Sequence, residues 1–139
     1  GIQVRVLQRL GSKHVMVVYG LDGLDEISIS GPTMIGELVN GQINEYNVHP
    51  AELGLELYDR RAIEVHTVAE SKAMIVAVLE NQPGPAHNIV ALNAGAAIYV
   101  SGVAKTFKEG IERAAQAIKS GAARQKLEAF VAFTQKLKK

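Results

Sequence analysis

An α/β domain is what this sequence predicts, and three features predict it. A short continuous apolar run occupies residues 14–19, a turn dipeptide Asn40-Gly41 separates two segments of strand length, and four helical patterns follow one another beyond Pro50. The 139 residues are the size of one ordinary domain, and 47% hydrophobic residues against 21% charged supply the apolar material for its core. The absence of cysteine excludes disulfides, thiolate metal sites and a cysteine nucleophile, and fits a reducing, cytoplasmic setting.

Residues 2–10 place Ile2, Val6, Leu7 and Leu10 near one side of a helix, which Gly11 then stops. His14-Val15-Met16-Val17-Val18-Tyr19 is rich in β-branched residues and reads as a buried strand of the parallel type. After a glycine-containing loop, Glu26-Ile27-Ser28-Ile29-Ser30 alternates strictly, so a half-buried strand is expected with both isoleucines inward and the serines outward. Thr33 to Val39 and Gln42 to Val48 flank Asn40-Gly41, whose tolerance of positive φ suits a two-residue type I′ hairpin.

Beyond Pro50 the spacing turns helical. Thr67-Val68-Ala69-Glu70 has the form of a capping box, so Thr67 should cap a helix running to about Glu80. Pro83-Gly84-Pro85 ends that pattern, and Ala86 to Ser101 forms a second helix, apolar on nearly every side and so expected to be buried. Thr106-Phe107-Lys108-Glu109 is another capping box, followed by Ile111, Ala114, Ala115 and Ile118 on one stripe. Ser120-Gly121 separates a last helix with Leu127, Phe130, Val131 and Leu137 as its inner stripe.

The longest apolar stretch, Ile89 to Val100, is broken by Asn93 and falls far short of the roughly 20 residues a membrane span needs. The chain opens Gly1-Ile2-Gln3-Val4-Arg5 without an initiator methionine or a leader, and reads as taken up mid-protein. Residues 1–104 hold 6 Lys+Arg against 11 Asp+Glu, and residues 105–139 hold 9 against 3. The basic tail is read as a solvated helix face. Nucleic-acid binding through Lys136, Lys138 and Lys139 is the alternative function it admits.

The chemistry concentrates in Gly20-Leu21-Asp22-Gly23-Leu24-Asp25-Glu26, between the apolar run and the alternating segment. Asp25 and Glu26 are adjacent carboxylates. Hard oxygen ligands of this kind suit Mg²⁺, which takes one or two protein carboxylates and fills its other positions with water and substrate phosphate. Taken alone this is weak evidence, since an acidic glycine-rich turn usually just satisfies its own backbone donors and stays solvated. The scattered His14, His49 and His87 show no convergent ligand spacing, and Ser12, Ser28 and Ser30 lack a nucleophile–base signature.

Leu10-Gly11-Ser12, the apolar run and Gly20-Leu21-Asp22-Gly23-Leu24-Asp25-Glu26-Ile27-Ser28 resemble the corresponding stretch of the anthranilate phosphoribosyltransferases. Ser30-Gly31-Pro32-Thr33, Gly84-Pro85-Ala86, Leu92-Asn93-Ala94-Gly95-Ala96-Ala97, Glu109-Gly110 and Ala117-Ile118-Lys119-Ser120-Gly121 are similar to family positions in the same order. The resemblance covers essentially the whole chain. It implies that residues 1–139 are the C-terminal segment of a nucleoside phosphorylase/phosphoribosyltransferase-type α/β domain, with a buried strand, a hairpin and four C-terminal helices.

What the resemblance implies about activity is transfer of a phosphoribosyl group from 5-phosphoribosyl 1-diphosphate to anthranilate in tryptophan biosynthesis. Magnesium is the implied cofactor and Asp25 and Glu26 its implied ligands, acting electrostatically rather than as a general base. Members are usually homodimers joined through N-terminal helices. The chain departs from the family pattern in three places. No Gly-Thr-Gly-Gly-Asp phosphate loop occurs, so that loop and the helical N-terminal domain are expected upstream; Tyr19 stands where many members have histidine; and His66 to Lys72 replaces a Gly-Gly-Asp stretch followed by Glu-Asn. A fragment lacking the phosphate loop is expected to be inactive alone.

Overall fold

A computed structural model describes residues 1–137. A short helix α1 (Ile2–Arg9) leads into strand β1 (Val15–Gly20), and β2 (Thr33–Val39) and β3 (Gln42–Val48) complete a three-stranded sheet of order β1-β2-β3. Two 3₁₀ turns, Pro50–Leu53 and Arg60–Ile63, then lead to α2 (Val68–Leu79), α3 (Pro85–Val100), α4 (Phe107–Lys119) and α5 (Ala122–Lys136). The fold class and the four C-terminal helices are as the sequence predicts. The stretch after Pro50 is 3₁₀ and irregular before it becomes helical at Val68.

The hairpin forms as expected: Val39 pairs with Gln42, and Asn40 and Gly41 take φ of 51° and 77°. Two successive positive φ values are what a type I′ turn requires, and its twist matches that of the flanking strands. The run at 14–19 is a different matter. Its composition predicts a buried strand of the parallel type, but β1 pairs antiparallel with β2, from Val15↔Leu38 to Gly20↔Thr33, at a sheet edge. Four of its residues are half-buried and Tyr19 is 53% exposed. Apolar continuity measures how much a strand could bury and does not fix the direction of its partner.

Helices cover both faces of the sheet. Val4 of α1, fully buried, sits over Gly36 of β2, where an added Cβ would lie 3.3 Å from its Cγ1. That contact, rather than the predicted stripe, anchors α1: Ile2, Val6 and Leu10 are 82%, 49% and 77% exposed. On the opposite face Ile35 and Val48 join Ile27, Ile29, Ile89, Leu92, Ala96 and Ile111 in the main core. A second cluster of Val78, Ala91, Ala114 and Ile118 ties α2, α3 and α4 together.

The caps explain where these helices start. Thr67 Oγ1 accepts from the Glu70 amide at 3.1 Å, and the Glu70 carboxylate accepts from the Thr67 amide at 3.0 Å. Thr106 makes the first of these bonds, but Glu109 turns to the Lys105 amide instead, so the second box is only half formed. Ile111, Ala114 and Ile118 are buried as expected. The predicted inner stripe of α5 is not: Leu127, Phe130, Val131 and Leu137 are 41–65% exposed. The spacing of these residues is correct for a stripe, yet this chain provides little surface for α5 to pack on.

One polar cluster fastens the sheet to α3. Glu37 of β2, 6% exposed, accepts from the Tyr46 hydroxyl at 2.9 Å and lies 3.0 Å from His14 Nε2. His14 meets the Tyr99 ring of α3 edge-on, with centroids 4.7 Å apart. Burial raises the Glu37 carboxyl, but hydrogen bonds from His14, Tyr99 and Tyr46 outweigh it and hold the group below its ordinary 4.5. Burial, followed by the bond to Glu37, pushes the Tyr46 hydroxyl up. A depressed folded-state value contributes stability that is present above the ordinary value and lost as pH falls through the folded one. Unfolding followed from pH 7 to pH 3 should therefore show a stability loss below about pH 4.5. Glu37→Gln should flatten that loss and cost about 1–3 kcal/mol at neutral pH. An unchanged acid limb in the variant would show that Glu37 is not its source.

Candidate functional site

The acidic loop leaves the end of β1 and is shaped by its own polar groups. The Gly20 amide donates to the Leu24 carbonyl at 2.9 Å, and Asp22 Oδ1 accepts from the Leu24 amide at 3.2 Å. Gly20 has to be glycine because an added Cβ would lie 2.6 Å from Asp22 Oδ1 and 3.2 Å from the Leu24 carbonyl oxygen. Gly23 turns the chain at φ 92°, a conformation that disfavours side chains. Asp22 thus works structurally, which is the role an acidic turn residue most often has. Arg60 Nη1 adds a bond to the Asp22 carbonyl at 3.4 Å.

Asp25 and Glu26 follow, both exposed, while Ile27, Ser28 and Ile29 are buried. Residues 26–30 are not the alternating strand expected from their pattern. They form an irregular segment in which both isoleucines reach the core as predicted, but Ser28 is buried too, at 1% exposure. The serine is admitted because its polar groups are satisfied: Oγ donates to Asp22 Oδ2 at 2.6 Å and accepts from the Ser30 amide at 2.9 Å, and its amide donates to Thr33 Oγ1 at 2.9 Å. A buried hydroxyl so partnered carries little penalty.

On the other side the segment is held by Asn93 of α3, whose side chain bonds both the amide and the carbonyl of Ile27. By composition and spacing Asn93 is legible only as a break in an apolar stretch, within a run similar to family positions. The helix expected to be buried is buried on one face only, with Val90 and Ala97 exposed, and the signal for Asn93's role is that a lone carboxamide beside that face must find partners.

Asp25 and Glu26 are therefore neighbours on a loop braced from both sides. Glu26 also borders a cavity of ≈ 250 Å³ lined by Ile63, Val65, Ser71 and residues of α2 and α3. No group of three or more His, Asp and Glu able to hold a metal forms among the described residues. The donor set is thus two hard, solvent-facing carboxylates, which fits an ion that keeps waters and takes phosphate oxygens for the rest of its shell, as Mg²⁺ does.

The other sequence candidates fall elsewhere. Tyr19 is exposed at the end of β1, and His14 belongs to the Glu37 cluster. His49 caps a 3₁₀ turn through the Ala51 amide, and His87 lies 3.3 Å from Asn81 Oδ1. The altered segment keeps its helix start, with Glu70 accepting from the His66 amide at 2.7 Å. Lys136 closes α5, whereas Lys138 and Lys139, which the nucleic-acid alternative invokes, lie outside the described residues. Among the described residues no helix is long and apolar enough to cross a membrane.

The acidic loop lies between the antiparallel sheet and the buried face of α3, and comparison with known proteins identifies the family. Residues 3–124 match the Glycosyl transferase family, a/b domain, and the chain belongs to that family. Within it, the chain is 57% identical over 137 residues to the anthranilate phosphoribosyltransferase of Laribacter hongkongensis (strain HLHK9), and 54% identical to that of Acidovorax sp. (strain JS42). Each alignment takes in 99% of this chain and 40% of the relative, so the chain spans well under half the length of these proteins. The crystal structure of anthranilate phosphoribosyltransferase (TrpD) from Thermus thermophilus superposes with a TM-score of 0.84 and 33% identity, over 93% of this chain and 38% of that one. The Saccharomyces cerevisiae enzyme in complex with PRPP and Mg gives 0.76 and 25%, over 86% and 34%.

Proposed function

We propose that this chain is the C-terminal segment of the glycosyl transferase α/β domain of an anthranilate phosphoribosyltransferase, and that Asp25 and Glu26 are its Mg²⁺ ligands. The observation that carries the reading is the exposed Asp25-Glu26 pair on a loop braced by Asp22, Ser28 and Asn93, in a chain more than half identical to enzymes of that name. In the complete protein the reaction joins the amine of anthranilate to the ribose carbon of 5-phosphoribosyl 1-diphosphate. The bond to diphosphate breaks, diphosphate leaves with the electron pair, and the amine gives up a proton.

Mg²⁺, when bound, offsets the negative charge that grows on the departing diphosphate. Asp25 and Glu26 would hold that charge-neutralising group in place through their carboxylate oxygens, with no proton transfer assigned to either. Asp22, bound up with Ser28 and the Leu24 amide, keeps the loop in shape and is not offered to the metal. In the complete protein a phosphate-binding loop and a helical domain, through which a homodimer would form, would come from outside these 139 residues. A cytoplasmic location suits such a biosynthetic enzyme and a chain without cysteine.

The test compares the 139 residues with the intact protein. Purified intact protein should form phosphoribosyl anthranilate in a magnesium-dependent way, and the isolated chain should show no turnover above background. Turnover by the isolated chain would overturn the division of labour. A magnesium-independent or absent reaction in the intact protein would overturn the assignment itself.

A further inference from the structure

Asn93 is the only carboxamide in the apolar stretch from Ile89 to Val100, and its side chain is committed to the acidic loop. Its Oδ1 accepts from the Ile27 amide at 2.9 Å, and its Nδ2 donates to the carbonyls of Ile27 and Ile89, each at 3.0 Å. Both backbone polar groups of Ile27 thus end on one side chain, as a paired strand would otherwise satisfy them. Ile27 directly follows Glu26, and its own side chain is locked in the core at 1% exposure. On the upstream side Leu24 is fixed through its carbonyl to Gly20 and through its amide to Asp22. Two fixed points therefore flank two exposed carboxylates.

We infer that Asn93 is the positioning residue of the Asp25-Glu26 pair: acting through the Ile27 backbone, it pre-sets the two carboxylates for a divalent cation carried on a diphosphate. The inference rests on the reading of that pair as the metal site. Its physical content is preorganisation. A metal that takes few protein ligands gains nothing from carboxylates that must first be ordered, and outer-shell hydrogen bonds that orient ligands typically govern metal affinity about 10–100-fold. Asn93 is polar where every neighbour in its stretch but Gly95 and Tyr99 is aliphatic.

The test measures protein-bound Mn²⁺ by electron paramagnetic resonance in the intact protein, titrated in the presence of inorganic diphosphate. Three variants are compared well below their thermal midpoints. Asp25→Asn with Glu26→Gln should abolish the protein-bound signal. Asn93→Ala should weaken Mn²⁺ binding roughly 10–100-fold and speed amide exchange at Ile27. Ile118→Ala, which opens a void in the second core cluster, apart from the one that holds Ile27, should leave Mn²⁺ affinity within about twofold.

Wild-type affinity in Asn93→Ala, with the double variant still inactive in binding, overturns the positioning role alone. Equal weakening by Ile118→Ala overturns it too, since general loosening would then suffice. Wild-type affinity in the double variant overturns the metal site and the inference with it. If Asn93→Ala does not fold, Asn93→Asp replaces it. That variant keeps an acceptor for the Ile27 amide but sets a carboxylate oxygen against the Ile27 and Ile89 carbonyls, and the same comparison applies.

Discussion

Asp25→Asn combined with Glu26→Gln, made in the intact protein, is expected to lower magnesium-dependent turnover at least about 100-fold, or about 2.7 kcal/mol of transition-state stabilisation. Both replacements keep the shape of the side chain and remove only its charge. Both positions are exposed, so stability should move by no more than about 0.5 kcal/mol. The loss therefore belongs to chemistry rather than to folding. Raising magnesium should not restore the rate, because the variant lacks ligands rather than metal. A magnesium titration that superposes on the wild type, in rate and in midpoint, would remove Asp25 and Glu26 from the site.

Gly110→Ala should be the most damaging small change in the fold, costing about 3 kcal/mol and lowering the thermal midpoint by roughly 10 °C. Helix propensity predicts the opposite sign, since alanine inside a helix is ordinarily better than glycine by about 0.5–1 kcal/mol. The reason for the reversal is the crossing of α3 and α4. A Cβ on Gly110 would run into the carbonyl of Gly95, and a Cβ on Gly95 would lie 2.6 Å from the Ile111 backbone. Neither obstacle is a side-chain end that could swing away, so the helices must separate and the core around Leu92, Ala96 and Ile111 must open. Gln116→Ala on the exposed face of α4 should change stability by no more than about 0.5 kcal/mol. Equal midpoints for Gly110→Ala and the wild type, read by circular dichroism, would show that α3 and α4 have slack the structure does not display.

Gly110 and Asn93 also mark where reading the sequence stops. Each occurs in a stretch similar to family positions, and each is unusual for its helix. Their partners, Gly95 and Ile27, are far away along the chain, and nothing in periodicity or spacing joins them. The acidic pair is legible because its stretch resembles family positions, adjacency alone being weak evidence for a metal. Its bracing is not, because Asp22, Ser28, Thr33 and Asn93 converge only after the chain has folded back on itself. The same limit accounts for the errors in burial. Ile27 and Ile29 reach the core from an irregular segment, and Ser28 joins them because Asp22 is there to accept a hydrogen bond from its hydroxyl.

By itself the sequence determined the α/β class, the Asn40-Gly41 hairpin, the four C-terminal helices with the Thr67 cap, and the carboxylates that make up the candidate metal site. These are local decisions, set by backbone preference, hydrogen bonds a few residues long and the chemistry of neighbouring side chains. Only the tertiary structure decided the direction in which β1 pairs, which face of α1 is covered, and how far α5 is left exposed. Those outcomes depend on the surface available opposite each apolar stripe, and a stripe records only how much it could bury. The loop that holds Asp25 and Glu26 belongs to both: its residues are written consecutively, while one side of its bracing comes from a helix more than sixty residues away.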